Sequence, residues 1–124
     1  MKKSSILYIG FGLTVLLWAL NFIALTFYLY WSISWYDIMM HFLGGLMTGV
    51  LAMWFWGLEE RSVSSFLLLF ASVMIVGGAW EVFEYVNDLT FSTQEYKIDT
   101  IVDLVMDGLG GIFAYWWSTS SRKS

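Results

Sequence analysis

The sequence has no cysteine and no proline, a single histidine, and only six lysine and arginine residues among 124. Without cysteine it can build no disulfide framework and no thiolate metal site, and it has no thiol nucleophile. One histidine rules out the paired Glu-x-x-His ligands of dimetal helical bundles and the two-histidine chemistry usual in membrane phosphatases. The few basic residues form no patch of the kind that binds nucleic acid. Charge of either sign is scarce, at 13% of residues.

Apolar surface is what the chain has in excess. Hydrophobic residues make up 59% of it and aromatic residues 20%. A soluble domain of this size leaves much of its surface exposed and cannot hide so much apolar area, so lipid must act as the solvent. The length fits one domain, 1–124. The opening Met1-Lys2-Lys3 followed by an apolar run has the look of a secretion signal. The charge-free stretch from Ser4 to Tyr36 far exceeds the ~7–15 apolar residues of a signal core and lacks a small-x-small cleavage site. It is therefore read as a membrane span.

A spanning helix takes roughly 20 mostly apolar residues. Four stretches qualify: 6–30, 37–58, 64–85 and 99–117. The expected fold is all-α, a four-helix membrane bundle. The fourth stretch carries Asp99, Asp103 and Asp107, yet it holds helical spacing, and a membrane segment must satisfy its backbone internally. Orientation follows from lysine and arginine in short connections. An inside N-terminus and C-terminus puts Lys2, Lys3, Arg61, Arg122 and Lys123 in the cytoplasm and leaves Lys97 outside. Tyr30, Trp31, Trp35 and Tyr36 then anchor the outer interface, and Trp54, Trp56, Trp116 and Trp117 the inner one.

On that topology the acids separate. Glu59 and Glu60 fall in the cytoplasmic turn, while Asp37, Glu81, Glu84, Asp88, Glu95, Asp99, Asp103 and Asp107 all fall outside, against Lys97 alone. They also choose faces. Asp37 and His41 are spaced i, i+4; Glu81 and Glu84 are i, i+3; Asp99, Asp103 and Asp107 form an i, i+4, i+8 stripe. One turn deeper each stripe continues in glycine: Gly45 and Gly49 below His41, Gly77 below Glu81, Gly111 below Asp107. Small residues mark close approach of membrane helices, so the acidic faces are expected to be interior faces meeting in one polar pocket.

Acids inside a membrane are expensive and usually functional. Crowded carboxylates relieve their repulsion by binding cations or by sharing protons. His41, Glu81, Glu84, Asp99, Asp103 and Asp107 are the expected metal ligands, with Mg, Mn, Ca, Zn or Fe all compatible with an oxygen-rich set holding one imidazole. His41, oriented by Asp37, is the candidate general base. Plainer readings stand beside these. His41 fits ordinary helix packing, Asp37 and Asp99 favour helix N-termini electrostatically, and Glu84 is placed to snorkel to the interface. None of these accounts for Glu81, Asp103 and Asp107 together below the surface. A protonated polar network, or a misplaced fourth helix, are the alternatives to metal.

Three motifs carry a family resemblance: Trp35-Tyr36-Asp37-x-x-x-His41-Phe42-x-Gly44, Trp80-Glu81-x-x-Glu84-Tyr85, and Thr93-Gln94 followed by Asp99-Thr100-x-x-Asp103. Together they resemble the YjdF-like small bacterial inner-membrane proteins and, more distantly, VanZ-like membrane proteins. The resemblance spans about Trp35 to Gly111 and implies a multi-pass inner-membrane location. VanZ-like members are associated with glycopeptide resistance, which points toward the cell envelope. Three functions follow as expectations. One is a metal-dependent hydrolase or transferase acting on a lipid or lipid-linked substrate at the outer leaflet, with Tyr85 and Gln94 positioning substrate. Another is a structural or accessory metalloprotein working with other membrane subunits or as a homo-oligomer. The third is cation or proton transport, which the lack of a polar path through the inner half disfavours.

Overall fold

With no proline to interrupt a helical hydrogen-bond ladder, the apolar runs form long helices. The computed structural model describes residues 2–58, 61–87 and 96–121. Those residues are all-α: α1 (Lys3–Thr26), α2 (Leu29–Ser32), α3 (Tyr36–Trp56), α4 (Val63–Val86) and α5 (Tyr96–Ser121). Helices α1, α3 and α4 are each long and apolar enough to cross a membrane. Helix α5, at 26 residues, has the length, about 39 Å at 1.5 Å per residue. Its three acids and polar last turn lower its hydropathy.

The reason α5 belongs in the bundle lies in how its residues are distributed around it. Ile98, Ile101, Val105, Leu109, Ile112 and Trp116 recur every three or four positions and are exposed, while Asp99, Asp103 and Asp107 are buried. A soluble amphipathic helix has the reverse polarity, with its apolar stripe turned to the core. Apolar side chains outward and acids inward is the arrangement for lipid.

The helix ends have local causes. Gly57, at φ 63°, closes α3 in a Schellman turn, with Leu58 N–H donating to Met53 C=O at 3.0 Å and Gly57 N–H to Trp54 C=O at 3.3 Å. Ser62 caps α4 by accepting from the Ser65 N–H at 3.0 Å. The first expected helix does not run to residue 30. It breaks after Thr26 at Tyr28, the one non-glycine described residue with positive φ, at 58°. The break adds the short α2, so the bundle has four long helices and a fifth, single-turn one. It turns Tyr30 inward, where its hydroxyl donates to Asn21 Oδ1 at 2.7 Å. Tyr36 donates to Leu20 C=O at 2.9 Å, and the two rings meet edge to face at 5.4 Å. Burial pushes the Tyr30 phenol up, which keeps it a donor.

Helix α3 is central. Among the long helices α1 packs on α3 alone, while α4 and α5 pack on α3 and on each other. Helices α3 and α5 start at the same end of the bundle and run parallel, with glycines on both sides of the seam. Gly45 lies against the main chain of Asp107, Gly110 against Phe42 C=O and Leu46 N, and a Cβ on Gly49 would come 2.9 Å from the Ala114 methyl. Backbones this close require the missing side chains. Farther along, Ile6, Val50, Met53, Leu69, Val73 and Ala114 form the apolar core. The glycine seam holds α5 close enough to α3 for acids one turn nearer the end to reach His41.

Candidate metal centre

His41 is placed by the α3–α5 seam, one turn from Gly45, and is buried. Its Nδ1 lies 3.1 Å from Asp107 Oδ1. Its Nε2 faces three other carboxylates: Asp103 Oδ2 at 3.3 Å, Asp37 Oδ1 at 3.7 Å and Glu81 Oε1 at 4.0 Å. Three helices thus contribute to one imidazole. Helix α4 also supplies Glu84, whose Oε1 accepts from Trp80 Nε1 at 2.8 Å. Gly77 on α4 leaves room for the Asp107 carboxylate.

The cluster is deep. Glu81, Glu84, Asp99 and Asp107 are buried, and Asp103 is only 1% exposed. Both Asp103 oxygens, Asp107 Oδ2 and the Thr100 hydroxyl are buried without a hydrogen-bond partner. Asp37, Glu81, Asp103 and Asp107 each pair with His41. Carboxylates at such depth without donors are costly unless a proton or a cation stands among them.

The donor atoms fall into two sets. His41, Glu81, Glu84 and Asp103 each offer an atom within 4.8 Å of the others, and so do Asp37, Asp99 and Asp103. Ligand bonds of about 2.0–2.6 Å put opposite ligands of one ion about 4–5 Å apart, so either set has the spacing of a coordination shell. The imidazole is set for this use. When Nδ1–H donates to Asp107, the bare Nε2 lone pair points among the acids, which is the carboxylate–histidine–metal pattern.

The sequence-predicted residues separate accordingly. Glu81, Glu84, Asp99 and Asp103 lie with His41 and Asp37 in the two sets, whereas Asp107 faces the other ring nitrogen. Asp107 engages the hydrogen-bonding nitrogen, Nδ1, and Asp37, expected to orient the ring, stands 3.7 Å from Nε2. Tyr85 is 67% exposed, one residue past Glu84 and off its buried face. Gln94 lies outside the described residues. Trp80 and Thr100 were not assigned roles from sequence. Their i, i+4 spacing to Glu84 and i, i+3 spacing to Asp103 was the signal for them.

A family model for predicted membrane proteins, DUF2238, matches residues 4–124. The chain belongs to the DUF2238 family. The match takes in all of α3, α4 and α5, so the whole cluster lies within the part of the chain that defines DUF2238. No curated protein and no solved structure matches the chain. With its family and its long apolar helices together, this DUF2238 protein is a multi-pass membrane protein with a buried carboxylate–histidine cluster able to hold a metal ion.

Proposed function

We propose that this DUF2238 protein is a bacterial inner-membrane metalloprotein, akin to the YjdF-like proteins, that binds a divalent cation at the outer-leaflet end of its bundle. The observation that carries the reading is the setting of His41. Its Nδ1 is held by Asp107 at 3.1 Å, and its Nε2 is surrounded by the carboxylates of Asp103, Asp37 and Glu81 at 3.3–4.0 Å. A divalent ion there, held by His41, Glu81, Glu84 and Asp103, would join α3, α4 and α5 and neutralise part of their buried carboxylate charge. Mg, Mn, Ca, Zn and Fe(II) all accept such ligands. The placement at the outer leaflet rests on Lys2, Lys3 and Arg61, which sit at the opposite end of the bundle and favour the cytoplasm.

The enclosure of the ligands supports a structural role for the ion, tying the helices and presenting the protein to other membrane subunits or to a second copy. A second reading, a hydrolase or transferase on a lipid-linked substrate, is favoured by Asp37. Its side chain is 17% exposed, against 8% or less for His41, Glu81, Asp103 and Asp107, so the cluster opens toward headgroup depth. There a metal would polarise a phosphoryl or carbonyl oxygen or activate water. Elemental analysis of detergent-purified protein tests the shared premise. A divalent metal should copurify with the wild type and be lost from the Glu81→Ala, Asp103→Ala double variant. Equal metal in both would remove the premise.

A further inference from the structure

We propose that the cluster holds two divalent cations side by side, with the Asp103 carboxylate bridging them; this rests on the metal reading above. The two donor sets share one residue, Asp103, and are otherwise distinct: His41, Glu81 and Glu84 complete one, Asp37 and Asp99 the other. They are also displaced along the bundle. Asp37 and Asp99 each stand one turn, about 6 Å, nearer the bundle end than His41 and Asp103. Asp37 Oδ1 lies 3.7 Å from His41 Nε2, so the two sets adjoin, yet among the described residues no one group with all its donor atoms within 4.8 Å of one another takes in all six.

Asp103 itself supplies the second, independent observation. It is the most buried acid of the cluster, at 1% exposure, and neither of its oxygens has a hydrogen-bond donor. His41 Nε2, at 3.3 Å, is no donor to it when the ring proton sits on Nδ1 against Asp107. A buried carboxylate with no donor on either oxygen, shared by both sets of ligands, is what a bridging ligand requires. Charge points the same way. Asp37, Glu81, Glu84, Asp99, Asp103 and Asp107 bring six carboxylates to one imidazole. One divalent ion leaves most of that charge uncompensated at a depth where water does not screen it, and a second, about 3.5–4 Å away as in two-metal sites, compensates most of it. The inner position takes one nitrogen and three carboxylates. The outer takes oxygen ligands only, and with three of them it keeps places for water or a substrate oxygen.

The test uses the full chain in detergent, stripped with chelator and dialysed against Mn²⁺, with bound metal measured per chain and the spins read by electron paramagnetic resonance. The wild type should hold two equivalents and show an exchange-coupled pair. Asp99→Asn should hold one and show the six-line spectrum of an isolated ion. Asp37→Asn serves as the second outer-position variant, and the wild-type stoichiometry stands whether or not either variant folds. One equivalent in the wild type with an isolated-ion spectrum, unchanged in Asp99→Asn, would overturn the second position and leave the first. No retained Mn²⁺, with none of Mg²⁺, Ca²⁺, Zn²⁺ or Fe²⁺ retained in parallel dialysis, would overturn the metal reading itself.

Discussion

Gly77 on α4 stands where any side chain would strike Asp107 on α5: a Cβ at position 77 would lie 2.5 Å from Asp107 Oδ2 and 3.2 Å from its Cγ. The glycine is therefore part of the cluster, since it leaves the space in which Asp107 reaches His41. Gly78, its neighbour, has nothing within 4 Å of such a Cβ. Gly77→Ala should lower thermal stability in detergent by about 1–3 kcal/mol, the usual cost of overpacking, while Gly78→Ala should be near neutral. Equal midpoints for the two variants would show that α4 and α5 do not press together at this level.

Asp107 is predicted to tune the metal through His41. It engages Nδ1, so Asp107→Asn removes the carboxylate that sets the tautomer without removing a donor from either set. Outer partners of this kind typically contribute about 10–100-fold to metal affinity. Isothermal titration of the variant should show a loss of that order with stoichiometry unchanged. A drop in stoichiometry would make Asp107 a direct ligand.

Chelation at neutral pH should destabilise the protein. A ligand that binds only the folded state adds about 2.7 kcal/mol at a hundred times its dissociation constant, enough to move a melting midpoint by several degrees. Adding back one particular cation should restore it, and Asp103→Asn should blunt the recovery. The ligands bind metal deprotonated, so acid should release the ion and remove the same increment. A protein indifferent to chelator and stabilised by acid alone would instead be a proton-sharing network.

The proposed orientation can be read by labelling. The chain has no cysteine of its own, which gives a clean background. Trp35, 58% exposed at the cluster end, and Val63, 76% exposed at the opposite end, are suitable single positions. In intact cells an impermeant thiol reagent should modify Trp35→Cys and spare Val63→Cys. The opposite pattern would turn the cluster toward the cytoplasm.

Much of this molecule is legible one helix at a time. The lengths of the apolar runs specify helices that match a bilayer, and the i, i+4 spacing of Asp99, Asp103 and Asp107 puts the acids on one face, because both follow from the 3.6-residue turn within a single segment. Gly45 and Gly49 mark the contact face of α3 for the same reason. Other features depend on how separate helices are rotated and shifted against one another, which no spacing within a helix encodes. The parallel seam of α3 and α5 selected Asp107 over Asp37 as the partner of His41 Nδ1. The break at Tyr28 turns Tyr30 toward an acceptor on α1, and Tyr36 finds another there. The division of the acids into two donor sets meeting at Asp103 was settled by the depth at which three helices come together, a quantity that exists only once they have packed.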